Sequence, residues 1–76
     1  MSILKIVIAD TNQDFCELLA GYIRFRKDFE FLGASGDGEK AVHLIQEKKP
    51  NILVMNPMVQ NSMALLSHIQ KNGGSL

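Results

Sequence analysis

The sequence has a single cysteine and no Cys/His cluster at zinc-binding spacing, so neither an internal disulfide nor a structural metal can brace it. It also lacks an excess of either charge: eight basic residues balance eight acidic ones, leaving no global field to draw the chain onto nucleic acid or an acidic membrane. Direct nucleic-acid binding by this chain is therefore not expected. No apolar run approaches the roughly 20 residues of a bilayer span. The N-terminal MSILKIVIAD meets charge at Lys5 and Asp10, and no signal-cleavage pattern follows it. These absences fit a soluble protein of the reducing cytoplasm without membrane contact. With 76 residues the chain is expected to form one domain, 1–76, with a thin stability margin.

What is present is apolar patterning that changes period along the chain. Ile3 to Ala9 is rich in β-branched residues and apolar on both alternating sets except at Lys5, the pattern of a parallel strand covered on both faces. From Asn12 or Gln13 the spacing becomes helical, with Phe15, Leu18, Leu19, Tyr22 and Ile23 on one face as far as Arg26. Glu30 to Ala34 reads as a short strand at a sheet edge. The segment GDGEKAVHLIQEKKP opens with turn residues, Asp37 among them as a cap, and places Ala41, Leu44 and Ile45 on one side of a helix ended by Pro50. Ile52 to Met55 is a third strand, and Met63, Leu66 and Ile69 mark a third helix that KNGG closes with glycine.

The order β-α-β-α-β-α calls for an α/β fold with a parallel sheet and right-handed crossovers. With the first strand central, the strand order is 2-1-3, one helix covers one face and two cover the other. Ligands in such sheets sit beyond the carboxyl ends of the strands at the switch point, where Asp10 and Asn56 are expected to meet.

Several residues invite sharper readings than their surroundings support. The glycines of GASGDG fit neither a phosphate loop nor a dinucleotide fingerprint, so a turn is expected. His43 and His68 lie on different predicted helices without acidic or thiol neighbours and are read as solvated. Cys16 reads as a small semi-buried filler, and Arg24, Arg26 and Lys27 as a cluster favouring a helix dipole. Asp10 fits both a turn or cap residue and a metal-site remnant.

LKIVIADTNQDFCELLAGYI followed by GASGDGEKAVHLIQEKKPNILVMNPMV resembles the receiver domain of two-component response regulators, and within that family the receivers of sporulation phosphorelays. The resemblance implies a flavodoxin-like, receiver-type sheet truncated to about three βα units. In the family, an Asp at the end of the third strand accepts a phosphoryl group, and an acidic pair after the first strand helps bind Mg²⁺. Asn56 stands at the acceptor position. The acidic pair maps to Asp10 and Thr11, so one acid is lost, and the usual Met-Pro after the acceptor maps to Val59-Gln60. The Ser/Thr and Lys contributed by later strands have no counterparts in the sequence.

An amide does not replace a carboxylate nucleophile. Asn56 is also protected from conversion to one, because deamidation proceeds through the next backbone N–H and Pro57 has none. Asp10, the Asn56 amide and the Met58 carbonyl make at most a weak Mg²⁺ site, and no cofactor is required.

The expectation is a pseudo-receiver without enzymatic activity. It would act by protein-protein interaction, with phosphorelay proteins or full-length response regulators as partners. The alternative is the N-terminal receiver fragment of a larger DNA-binding response regulator whose phosphorylation controls transcription. An open third-strand edge predicts a homodimer, joined through that strand or by exchange of helices. Ile52, Val54, Leu66 and Ile69 are its interface candidates, with the first and third helices contributing apolar surface.

Overall fold

The computed structural model describes residues 2–76. In chain order it contains β1 (Leu4–Ala9), α1 (Gln13–Phe25), β2 (Phe29–Ser35), α2 (Gly38–Lys48), β3 (Ile52–Met55) and α3 (Ser62–Lys71). The three strands are parallel in the order β2-β1-β3, the arrangement of a flavodoxin-like sheet built from three βα units. β2 is longer than its alternation suggests. Its last residue, Ser35, pairs with Ala9, and a register shift between Ile6 and Val7 sets Phe31 and Gly33 opposite them, leaving Leu32 without a partner on β1.

β1 is paired on both sides and covered on both faces, which explains its unbroken apolar run. Ile6 and Ile8 pack with Cys16 and Ile23 of α1, and Phe31, Ile52 and Val54 border that cluster. On the other face Ala9 packs with Ala41 and Ile45 of α2, with Val59, and with Leu65 of α3. Val7, Ile8 and Ala9 are fully buried.

Local chemistry explains where the elements begin and end. The Asn12 side chain accepts the Phe15 N–H at 3.0 Å and caps α1. The Asp37 side chain caps α2 through the Glu39 N–H at 2.8 Å. Lys49 takes a left-handed conformation, φ 52°, at the end of α2, and Pro50 follows. Asn51 then fixes the entry of β3: its side-chain oxygen accepts the Lys5 N–H at 2.8 Å while its own N–H donates to the Lys5 carbonyl at 2.9 Å.

Both terminal helices are rotated from the faces their spacing suggests. Of the face expected for α1, Ile23 is buried and Leu19 packs against the core, but Phe15, Leu18 and Tyr22 are exposed and the other buried residues are Cys16 and Ala20. The small Cys16 and Ala20 side chains let the helix lie close to the sheet, and a larger face would hold it away. In α3 the buried residue is Leu65, 0 % exposed, while Met63 and Leu66 are 69 % and 47 % exposed. Leu66 and Met63 therefore do not form the core face of α3; Ile69 is half-buried.

The phase of α3 has a direct mutational signature. Leu65→Ala is expected to cost about 2–5 kcal/mol. Leu66→Ala should cost less than about 1 kcal/mol. Urea unfolding of the two variants checks this, and equal losses would contradict the observed phase.

Candidate functional site

The carboxyl ends of β1 and β3 lie side by side because Ala9 pairs with Met55 and the Asn56 N–H donates to the Ala9 carbonyl at 2.9 Å. Asp10 and Asn56, the residues that follow, are thereby brought to one end of the sheet. No hydrogen bond joins their side chains. Each is instead used in its own turn: Asp10 Oδ1 accepts the Asn12 N–H at 2.9 Å, and Asn56 Oδ1 accepts the Met58 N–H at 2.9 Å. Both are side chains bonding to the backbone two residues on. An amide oxygen makes this bond as a carboxylate does, so Asn56 can hold the turn without supplying charge or a nucleophile.

Asn56 is half-buried, while Thr11 and Met58 are exposed. Pro57 follows Asn56 without an N–H, and the Asn56 carbonyl accepts the Val59 N–H at 3.0 Å, closing a tight turn. Val59, a position the apolar pattern left unassigned, is buried at 3 % exposure against Leu65 and Ala41. This buried side chain anchors the turn from beneath.

The donor set does not fit Mg²⁺. Among the described residues no three His, Cys, Asp or Glu side chains gather as a metal cluster. The single carboxylate, Asp10, and the Asn56 amide oxygen each already accept a backbone N–H. Mg²⁺ sheds water reluctantly and is held mostly by carboxylates and phosphate oxygens.

A cleft of about 430 Å³ opens on the other side of Asp10, between α1 and the end of β2, and neither Asn56 nor Met58 lines it. Glu17 and Arg24 flank it, and Arg24 lies over the Phe31 ring at 4.8 Å. Cys16 also lines the cleft; its thiol donates to the Asp10 carbonyl at 3.5 Å, and its pKa is raised, first by burial and then by the Asp10 charge.

The most connected polar group near the site is Asp37, which caps α2 and also holds a residue beyond β3. The Asn61 amide donates to both Asp37 oxygens, at 3.3 and 3.1 Å, and Gly38 N–H donates to the Gln60 carbonyl at 2.7 Å. Asn61 adopts a left-handed φ of 57°. This clamp ties the segment after β3 to the first turn of α2. Gly38 is needed there because an added Cβ would collide with the Asn61 backbone. A Gly at 38 beside a capping Asp was a visible signal, but its partner 24 residues away was not. No family model matches the chain, and no described helix is long and apolar enough to cross a membrane.

The Asp37 pKa is lowered, chiefly by the Asn61 hydrogen bond and then by the Glu39 N–H. A depressed folded pKa gives stability that is present above the unfolded value and lost as pH falls through the folded value. Wild type should therefore lose its advantage over Asp37→Asn progressively below the ordinary carboxylate range. Urea midpoints of both proteins across acidic pH check this; a difference independent of pH would contradict the clamp.

Proposed function

We propose that the chain is a degenerate receiver of the response-regulator type, one that does not accept a phosphoryl group and acts by binding other proteins. The observation that carries this reading is the placement of Asn56 at the end of β3, beside the end of β1, with its amide oxygen engaged by Met58 N–H. A strand-end position of this kind suits a reactive carboxylate in a doubly wound sheet. Here the group present is neutral and turned to holding the loop. The resemblance extends to the receiver of the sporulation transcription factor called stage 0 sporulation protein A, which makes phosphorelay proteins and full-length response regulators the partners this reading implies. Self-association of the chain belongs to the same reading.

On this reading neither Asn56 nor Asp10 takes up a phosphoryl group. Attack on a phosphoryl donor needs an anionic oxygen, which Asn56 lacks. The neighbouring Asp10 is a carboxylate, but its Oδ1 accepts the Asn12 N–H in the turn that leads into α1.

Incubation with acetyl phosphate and Mg²⁺, followed by intact-mass measurement, tests the proposal. Wild type is expected to keep its unmodified mass, whereas the Thr11→Asp, Asn56→Asp double variant is the form in which labile phosphorylation should first be detectable. A phosphorylated wild-type species at Asn56 or Asp10 would overturn the reading.

A further inference from the structure

Five asparagines lie along the chain, and four of them are committed to holding its fold. Asn12 caps α1, Asn51 accepts the Lys5 N–H, Asn56 accepts the Met58 N–H, and Asn61 donates to Asp37. Asn72, which follows the last residue of α3, has no such duty. It is exposed, and its Nδ2 lies 3.1 Å from His68 Nε2 on the same helix.

The residue after an asparagine decides whether the backbone can attack its amide. Pro57 offers no N–H behind Asn56. Gln13, Ile52 and Ser62, which follow Asn12, Asn51 and Asn61, each carry a side chain that crowds the attacking nitrogen. Gly73, behind Asn72, has no Cβ, and beyond its chain neighbours no atom stands within 4 Å of where one would be.

The bonds that restrain this pair are those of a helix end. The Gly73 N–H donates to the Gln70 carbonyl at 3.1 Å, and the Asn72 N–H is shared between the His68 and Ile69 carbonyls, each at 3.2 Å. With ψ 19° at Asn72 the turn points the Gly73 nitrogen away from the amide, so ring closure waits for it to open. Fraying of this kind costs close to nothing. The contrast is Asp37-Gly38, the other glycine pair able to cyclise. There the Gly38 N–H donates to the Gln60 carbonyl at 2.7 Å, and the carboxylate is held by the Glu39 N–H and the Asn61 amide. Freeing that nitrogen means opening the clamp between α2 and the segment after β3.

We propose that Asn72 is a modification site, an asparagine that converts spontaneously through a succinimide to aspartate and isoaspartate while the rest of the chain stays folded. The Gly73 nitrogen attacks Asn72 Cγ and an N–Cγ bond forms. The Cγ–Nδ2 bond breaks, and the leaving nitrogen takes up the proton that Gly73 gives up and departs as ammonia. Water then opens the ring at Cγ, giving aspartate, or at the Asn72 backbone carbonyl carbon, giving isoaspartate.

Both products put a carboxylate at the C-terminal end of α3, where the helix dipole disfavours negative charge. Isoaspartate also lengthens the backbone by one carbon. The added carbon falls just before the turn at Gly73 and Gly74, φ 64° and 90°, beyond which Leu76 packs against the core that holds Leu65. The modification therefore loosens that contact. This inference uses only α3 and its end, and it stands apart from the receiver reading.

Incubation of the purified chain at mildly alkaline pH, with peptide mapping by mass spectrometry at intervals, tests the assignment. The peptide containing Asn72 is expected to gain the amide-to-acid mass first, as separable aspartate and isoaspartate forms. Asn12, Asn51, Asn56 and Asn61 should keep their amides over the same period. Asn72→Gln, whose extra methylene disfavours the five-membered ring, should keep its mass. The modified fraction, separated by its added negative charge, should unfold at lower urea concentration than the unmodified one. Asn72→Asp should reproduce only part of that shift, because its backbone is not lengthened. Earlier conversion of any other asparagine would overturn the assignment, as would an Asn72 converted in urea-unfolded chain but not in folded chain. A modified fraction with an unchanged urea midpoint would overturn the effect on the core.

Discussion

The structure depends on β1 being held from four directions. β2 and β3 pair with its two edges, α1 covers one face, and α2 and α3 cover the other. Every other element is placed by reference to it, and the two core clusters are its two faces. A chain this short has little surface to bury. It gains the most from a strand with no exposed side, and Val7, Ile8 and Ala9 are that strand's fully buried end. Small residues on the helices, Ala20 and Cys16 on one side and Ala41 on the other, bring both layers close to it.

The same constraint builds the candidate site. Because β1 and β3 run parallel and in register, the turns that leave them emerge together, and Asp10 and Asn56 occupy equivalent positions in those turns. Each spends a side-chain oxygen on the backbone N–H two residues ahead. A carboxylate makes that bond at Asp10 and an amide makes it at Asn56, so the turn at the end of β3 does not require a charged side chain. The Asp37–Asn61 clamp and buried Val59 then fix the following segment, and the loop after Asn56 is held at both its beginning and its end.

Much of this was legible in the sequence, but for reasons that differ by element. The apolar runs of β1 and β3 and the break at Pro57 are short-range signals; the alternation of strands and helices points to a parallel sheet, and the order 2-1-3 follows once β1 is taken as the central strand. Helix phase was harder to read. In α1 two apolar stripes overlap, and spacing alone favours the bulky Phe15, Leu18 and Tyr22 over the small Cys16 and Ala20 that fit against the sheet. In α3 the adjacent Leu65 and Leu66 both satisfy a helical period, and only the left-handed start at Asn61, fixed by the distant Asp37, accompanies the phase that buries Leu65. The clamp itself joins residues 24 apart, beyond the reach of any periodicity.

On the reading proposed above, the end of the sheet, with Asp10 in place of a pair of carboxylates, gathers no divalent cation. This is tested most directly by following backbone amide resonances during titration with Mg²⁺ into the millimolar range. Asp10, Asn56 and Met58 are expected to show no saturable shift. A shared saturating shift of these three resonances at submillimolar Mg²⁺ would contradict it.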